Sequence, residues 1–410
     1  MSQSSPAIVW FREDLRLTDN PALHAAISSG RPLILLFVYD QETRNIRPYG
    51  AASNWWLDKS LRALSQDIET LGAQLTLRSG ASTQILQDII DETEAEDVFW
   101  NRRYDMPERD LDASIKERLK SQGVRVSSYN GRLLNEPWDV KNNSGDHYKV
   151  FTPYWKAATK DYVLPAALGQ PKSLMGPKIK SEALEDWNLH PADPDWSKGF
   201  DPLWEPGESG ATKRLENFLD GSINGYRQKR NRPDIKDSTS GLSPHLRFGE
   251  ISPLQIYRCV MANIEAGHTN ETDGLNFLSE IGWREFSYSL LYYNPDMPWR
   301  KDYKSFTAWT AGQTGYPIVD AGMRELWQTG WMHNRVRMIA ASFLTKHLLI
   351  PWQKGEAWFW DTLVDADPAN NPASWQWTAG SGADAAPYFR IFNPITQGKK
   401  FDQTGDYVRH

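Results

Sequence analysis

Residues 365–377, DADPANNPASWQW, concentrate side chains that could hold a ligand. The two Asp have the spacing that opens a calcium-binding loop, but position 6 is Asn370 instead of Gly and position 12 is not Glu. A glycosidase would pair carboxylates with sugar-stacking Trp, yet no acid and base at a defined separation can be named. The prolines argue against a regular helix or strand. We therefore predict a polar loop that holds a flat, hydrogen-bonding heterocycle.

Two further segments place polar groups at helical spacing. In SEIGWREF (279–286), Glu280, Trp283 and Arg284 stand at i, i+3 and i+4, so they share one helix face. A surface ion pair with an incidental Trp is the alternative. In 331–349, Asn334, Arg337 and Met338 repeat the spacing, and Val336, Ile339, Phe343 and Leu344 form a separate apolar stripe. Such polar groups are costly in a dry core, which favours a wall facing a ligand.

Residues 225–252 combine positive charge with a hydroxyl-rich loop. The cations are Arg227, Lys229, Arg230, Arg232 and Lys236, and the loop STSGLSP leads toward a helix that we expect to begin near Pro244. Hydroxyl and N–H groups before a helix suit a phosphate. The same groups often only cap the helix. The basic neighbours favour a phosphate ligand or a polyanion.

The elements that must position these residues differ along the chain. AIVWF (7–11) and PLILLFVYD (32–40) are continuous apolar runs typical of strands buried on both faces of a parallel sheet. Helical spacing follows between residues 55 and 71, and strand character then returns. Repeated βα units predict a doubly wound α/β domain. It has no G-x-G-x-x-G after the first strand, so nothing indicates the usual dinucleotide site.

At 410 residues the chain is long for one core. We expect an α/β domain in residues 1–130, a proline-rich connection in 131–205 and an all-α domain in 206–410. There are no internal repeats and no low-complexity tracts.

Composition limits the function classes. The only cysteine, Cys259, excludes internal disulfides, cysteine-ligated zinc and iron–sulfur clusters held by several thiolates, and we expect no metal site. No window is long and apolar enough for a membrane span, and no signal sequence is recognisable, which predicts a soluble cytoplasmic protein. The net charge of −6 argues only against a generic nucleic-acid coat. Nineteen Trp residues are too many to be explained as core filler alone.

Six motifs in order resemble the photolyase/cryptochrome family, and specifically its bacterial cyclobutane pyrimidine dimer photolyases. They are WFREDLRLTDNPAL, TSGLSPHLRFGEIS, WREF, TGYPIVDAGMREL, TGWMHNRVRM and the segment from DADPANNPASWQW to GKKFD. The resemblance runs from residue 7 to the end of the chain. It implies light-driven DNA repair by a monomeric lyase in which excited reduced FAD gives an electron to a flipped-out dimer.

The resemblance also implies where FAD binds. The phosphate-binding positions correspond to Tyr226, Thr239, Ser240, Leu242 and Ser243. Those around the flavin ring and ribose correspond to Trp331, Asn334, Arg337, Asp365 and Asp367. Asn371, four residues before Trp375, takes the place that faces flavin N5, where an amide can accept a hydrogen bond from the reduced ring.

The lesion pocket of the family corresponds to Glu280, Trp283, Asn334, Met338 and Trp377. Glu280 would stabilise the radical anion of the dimer by hydrogen bonding. Arg230, Arg335 and Arg390 match basic positions that could contact DNA phosphates. Dimers stack poorly, so extrusion is expected to cost only a few kcal/mol.

Two other sets of positions carry over. Trp375, Trp352 and Trp299 match an electron-transfer chain from the surface to the flavin. Glu108 matches a residue that contacts a folate antenna in some members; methenyltetrahydrofolate is the preferred pigment, with a deazaflavin, or none, as alternatives.

A signalling cryptochrome is the main alternative. Asn371 and the complete lesion pocket favour repair. A (6-4) photolyase would need pocket histidines or four cysteines, and this sequence has neither. A flavin- or nucleotide-binding protein without photochemistry would not need the lesion-pocket residues. Family members usually continue beyond the motif GDYVR, so the resemblance predicts a helical domain shortened at its C-terminal end.

Overall fold

The computed structural model describes residues 5–190, 193, 195–235, 237–293, 305–386 and 390–409. Five parallel strands form one sheet: β1 Ala7–Phe11, β2 Leu33–Tyr39, β3 Leu75–Ser79, β4 Asp97–Asn101 and β5 Arg125–Tyr129. The strand order is β3-β2-β1-β4-β5: β2 and β3 are added on one side of β1, and β4 and β5 on its other side. Helices α1 Pro21–Ser28, α2 Ala51–Thr70, α3 Ser82–Thr93 and α4 Met106–Ser121 connect the strands. The predicted doubly wound α/β fold is confirmed.

The central strands are apolar because both faces of the sheet are covered. Alternate residues of β1 enter different cores: Ala7, Val9 and Phe11 pack on one side, and Ile8 and Trp10 on the other. A strand with this environment has no solvent face, which explains its uninterrupted apolar sequence.

The segment after β5 crosses the surface of the α/β domain. It contains α5 Phe151–Thr159 and a 3₁₀ turn at Leu184–Trp187. Backbone bonds from Leu174 N–H to the Leu71 carbonyl and from Leu33 N–H to the Met175 carbonyl, both 2.8 Å, hold it there. The boundaries at residues 130 and 205 remain our division of the chain.

Helices alone make up the regular structure of the described residues from 206 onward. They are α6 Glu208–Asn217, α7 Tyr226–Lys229, α8 Ser243–Phe248, α9 Pro253–Glu265, α10 Glu271–Tyr293, α11 Ser305–Thr310, α12 Pro317–Thr329, α13 Asn334–Ser342, α14 Trp352–Thr362, α15 Asn370–Ala379, α16 Pro394–Phe401 and α17 Asp406–Arg409, with π-helical turns at Phe218–Ser222 and Phe343–His347. The predicted all-α character is confirmed. Within these ranges no helix has the length and apolarity needed to traverse a bilayer.

A buried ionic cluster joins the two domains. Glu13, two residues after the end of β1, is ion-paired with Arg132 of the connection and with Arg247 of α8. All three side chains are almost completely shielded from solvent. Removing Glu13 would leave two buried cations without this partner, and removing either arginine would leave Glu13 with one cation instead of two. Breaking a buried ion pair by removing one partner is strongly destabilising. The domains are therefore bound together through groups that tolerate little change.

Candidate functional site

A cavity of about 540 Å³ opens into the helical domain. This volume lies within the range of cofactor pockets, roughly 300–1,000 Å³. The loop before α8 and helices α10, α13 and α15 form its walls. The predicted residues that line it are Tyr226, Arg230, Thr239, Ser240, Leu242, Ser243, Glu280, Trp283, Trp331, Asn334, Arg335, Arg337, Met338, Asp365, Asp367, Asn371, Trp375 and Trp377.

Glu280 and Trp283 face the cavity from α10. The Glu280 carboxylate is paired with Arg230 at 2.5 Å, and each side chain is about one quarter exposed. Burial raises the pKa of Glu280, while the charge of Arg230 acts to lower it. Arg284 instead donates to the Arg132 carbonyl at 2.9 Å. The surface pair between Glu280 and Arg284 that the spacing allowed does not form.

Helix α13 supplies a second wall through Asn334, Arg337 and Met338. His333 caps this helix, since its Nδ1 accepts from the Arg335 N–H at 3.1 Å. Burial, followed by the neighbouring cations, lowers the pKa of His333 to about 4. The imidazole is therefore neutral at physiological pH and keeps the lone pair that the cap requires.

The Arg337 guanidinium is fixed by two groups. It donates to both carboxylate oxygens of Asp365, at 3.1 and 3.0 Å, and through Nε to the Met332 carbonyl at 2.6 Å. Only 4% of the Asp365 side chain is exposed. This bidentate pair joins α13 to the loop before α15.

The expectation of an irregular loop over 365–377 was wrong for its second half. Asn370–Ala379 forms α15. Pro372 falls in the first turn, where a helix needs no N–H group from it. The Asp367 carboxylate accepts from the N–H groups of Ala369 and Asn370, at 2.9 and 2.7 Å, and so completes the helix start.

Asp367 is a buried, ionised anchor beneath the cavity. Burial acts to raise its pKa, but the charges of Arg247 and Arg284 and the bond from Tyr288 lower it overall. The Tyr288 hydroxyl donates to Asp367 at 2.7 Å. The Asp367 carboxylate therefore accepts hydrogen bonds from protein groups, and the residue also lines the cavity.

Asn371 lines the cavity and has its side-chain amide fixed by Glu356. Its Nδ2 donates to the Glu356 carboxylate at 2.9 Å and to the Glu356 carbonyl at 3.1 Å. With both amide hydrogens used, Oδ1 is the group left to accept a hydrogen bond. Three residues at the site were not predicted from the sequence: Glu356, Arg247 and the cavity-lining Asn370. No local spacing connects Glu356 or Arg247 with the site.

Trp375 lies against the cavity and is 2% exposed. Its ring contacts α14 so closely that a Cβ on Gly355 would come within 2.1 Å of it. Glycine at 355 is therefore what allows the indole to reach its position. Trp352 packs against the same core cluster without lining the cavity. Trp299 lies outside the described residues.

Three arginines form a basic rim at the cavity mouth. Arg230 and Arg335 line it, and the Arg390 guanidinium lies 5.8 Å from the ring centroid of Trp377. Burial, and then the charges of Arg230 and Arg390, lower the pKa of Arg335. The three cations therefore lie near one another, an arrangement that suits a polyanionic ligand.

Glu108 lies apart from this cavity, in the first turn of α4. Its carboxylate pairs with Arg103 at 3.3 Å, and Arg103 also pairs with Asp112 at 2.6 Å. Burial raises the pKa of Glu108. A ligand that bound Glu108 would have to compete with Arg103 for the carboxylate.

The donor set of the cavity fits a flavin dinucleotide. The hydroxyls of Thr239, Ser240 and Ser243 and the rim cations suit phosphates, and the Asn371 oxygen suits a ring N–H. Among the described residues no cluster of His, Cys, Asp or Glu is suited to a metal.

Replacing Asp365 with Asn should weaken cofactor retention. Arg337 would lose its charged partner, and breaking a mostly buried pair costs roughly 3–5 kcal/mol of unfolding free energy. We expect a lower flavin-to-protein absorbance ratio after purification and an earlier denaturation midpoint. Glu205→Gln, which breaks an exposed pair with Lys213, is the matched control and should change neither. An unchanged flavin content in the Asp365 variant would contradict the expectation.

Two family models match the chain: the DNA photolyase model over residues 7–172 and the FAD binding domain of DNA photolyase over residues 277–410. A deoxyribodipyrimidine photo-lyase of Agrobacterium fabrum is 51% identical, covering 99% of this chain and 87% of that protein. Cryptochrome-2 of Arabidopsis thaliana is 39% identical, covering 100% and 70%. The structure of a bacterial class III photolyase from Agrobacterium tumefaciens superposes with a TM-score of 0.94 at 51% identity, covering 100% of this chain and 86% of that one. The chain therefore belongs to the photolyase/cryptochrome family.

Proposed function

We propose that this chain is a deoxyribodipyrimidine photo-lyase that splits cyclobutane pyrimidine dimers in DNA under light. One observation carries the proposal: residues suited to a flavin and residues suited to a pyrimidine dimer line the same cavity. FAD, when bound, reduced and excited by light, would lend an electron to the cyclobutane ring and take it back once both ring bonds between the pyrimidines have broken. The protein must therefore bring the lesion and the flavin into contact and keep the donor in place.

The lesion enters between the aromatic side chains. Trp283 stacks on Phe151 with ring centroids 3.9 Å apart, so its plane is fixed before any lesion binds. Trp377 of α15 also lines the cavity, and its ring centroid lies 6.1 Å from that of Phe392. Two preset apolar surfaces reduce the ordering cost of holding a flipped base.

Glu280 and Asn334 supply hydrogen bonds to the pyrimidine edges. Because burial favours the neutral form of Glu280, the carboxyl can donate to a pyrimidine carbonyl once a DNA phosphate competes for Arg230. A donor aimed at the position where negative charge develops stabilises the dimer radical anion.

The basic rim should bind DNA through phosphates. Replacing the exposed Arg390 with Gln should weaken the binding of damaged and undamaged DNA equally. It should also reduce the slope of log K against log salt by about 0.9. Titrations at several salt concentrations measure this slope. Arg118→Gln, on the exposed face of α4, should leave it unchanged. A loss confined to damaged DNA would move Arg390 from the phosphate rim to the lesion pocket.

The proposal includes a light-harvesting pigment near Glu108, for which a reduced folate is the preferred candidate. The supporting observation is a buried carboxylate on α4, close to the helical domain through its interaction with Arg247. Pigment released by denaturing the purified protein can be identified by mass spectrometry, and Glu108→Gln should lower its yield. The protein acts as a monomer in the cytoplasm under this proposal.

A repair assay tests the function directly. Photoreduced protein is mixed with DNA that carries a thymine cyclobutane dimer, and recovery of thymine absorbance is followed under blue light and in the dark. Recovery only in light is expected. No recovery with FAD bound and reduced would favour the photoreceptor function instead.

A further inference from the structure

The loop between β2 and α2 connects the α/β domain to the helical domain. Trp360 of α14 donates through Nε1 to the Pro48 carbonyl at 3.0 Å, and the Arg47 guanidinium lies 3.8 Å from the Trp360 ring centroid. A Cβ on Gly50 would come within 2.2 Å of the Trp360 carbonyl oxygen. The loop is therefore seated on α14 with no room between them.

From this loop Arg47 reaches a buried carboxylate on α14. Its Nη1 and Nη2 donate to Oε1 and Oε2 of Glu356, at 2.8 and 3.3 Å. The Glu356 side chain is 1% exposed, whereas Arg47 is 32% exposed. Burial raises the pKa of Glu356, and Arg47, together with the Asn371 amide, acts to lower it. Arg47 is thus the cation that offsets the burial of this carboxylate.

The same carboxylate holds the amide that faces the cavity. Oε1 of Glu356 accepts from Arg47 and also from Nδ2 of Asn371, at 2.9 Å. A hydrogen bond to an ionised acceptor is roughly twice as strong as one between neutral groups. An ionised Glu356 therefore holds Nδ2 firmly and polarises Oδ1 into a better acceptor.

We propose that Arg47 is a positioning residue of the flavin site: by keeping Glu356 ionised, it holds the Asn371 amide with its oxygen turned toward the ligand. The proposal rests on the proposed function only for the identity of the ligand. It gives the α/β domain a direct influence on the wall of the cavity in the other domain.

Arg47 also acts on a second carboxylate, and this effect must be separated from its effect on Glu356. Asp105, the residue that caps α4, also lies within the electrostatic influence of Arg47, and burial raises its pKa against the charges of Arg103, Arg109 and Arg47. Arg47→Ala therefore alters the surroundings of two carboxylates. Asp105→Asn removes the second one and isolates the contribution of Glu356.

The test uses the flavin-loaded protein in the dark. Infrared spectra recorded against pH follow the protonated carboxyl band of Glu356, which Glu356→Gln identifies. Side-chain ¹⁵N labelling of asparagine follows the Asn371 amide, which Asn371→Asp identifies. In Arg47→Ala the protonation midpoint of Glu356 should rise by about one pH unit or more, since a neighbouring opposite charge shifts a carboxyl by 1–3 units. The Asn371 amide signal should move with the same midpoint.

The positive charge of Arg47 determines the direction in which the protonation midpoint of Glu356 should shift. Losing a cation favours the neutral acid, so the ionised form is lost as pH falls through a higher value than in the wild type. Arg47→Lys keeps the positive charge but cannot donate to both carboxylate oxygens as the guanidinium does. Its Glu356 protonation midpoint should lie between those of wild type and Arg47→Ala. If Arg47→Ala does not fold, the lysine variant alone must still shift the midpoint upward. Arg44→Ala, an exposed cation of the same loop, should change nothing.

An unchanged Glu356 midpoint, or an Asn371 signal that does not follow it, would overturn the proposal. Neither measurement depends on DNA or on turnover. A wild-type protein that fails to repair dimers but shows the Arg47 effect would contradict the proposed function and leave this inference standing.

Discussion

Glu280→Ala is expected to slow light-driven dimer splitting by about tenfold or more, and so to lower the repair yield, while FAD remains bound. A hydrogen bond that involves a charged or developing-charge group contributes roughly 1.5–3 kcal/mol, and 1.4 kcal/mol corresponds to about a factor of ten. Glu280 is the carboxyl on α10 that faces the cavity, opposite Arg230. Repair per absorbed photon, measured with saturating damaged DNA, checks the expectation.

Two variants make this result interpretable. Glu280→Gln retains an N–H donor at nearly the same position and should recover part of the yield. Glu271→Ala removes an exposed carboxylate from the first turn of the same helix and should behave as wild type. Equal repair by wild type and Glu280→Ala under saturating conditions would remove Glu280 from the chemistry.

Trp375→Phe is expected to abolish photoreduction of bound FAD and to spare repair. Trp375 is the buried indole that lines the cavity, and it packs on Phe359 with ring centroids 5.0 Å apart. Phenylalanine fills most of the space but is much harder to oxidise than an indole. The rate at which light reduces the flavin in the presence of an external thiol should therefore fall to the rate measured without the thiol.

The same variant, reduced chemically with dithionite, should split dimers as the wild type does. Trp187→Phe, a substitution beside the sheet of the α/β domain, is the matched control and should photoreduce normally. Normal photoreduction in Trp375→Phe would mean that electrons reach the flavin by another path. Loss of repair even after chemical reduction would instead indicate that the substitution disturbs the cavity.

Local spacing predicted the parts of the site that lie on single helices. Glu280 with Trp283, and Asn334 with Arg337 and Met338, share a helix face at i, i+3 and i+4, and both sets line the cavity. The sheet was predictable for a similar reason, because strands without a polar face must be covered on both sides. These inferences need only the geometry of one element.

Pairings between distant segments could not be predicted in this way. Glu280 is paired with Arg230, fifty positions earlier, and not with Arg284 on its own helix. Glu356 bonds to Arg47 across 309 positions. Proline in the first turn of α15 also misled us, because its effect depends on whether it falls inside a helix or at the start of one.

The Glu13 cluster restricts how this architecture can be recombined. Its three charges come from the α/β domain, the connection and the helical domain, and each is buried against the others. A foreign α/β domain grafted before residue 131 would have to bring a carboxylate to the same point, or Arg132 and Arg247 would lose the anion that is ion-paired with both of them. Evolution can replace surface loops on either half independently, whereas the halves themselves must be inherited together.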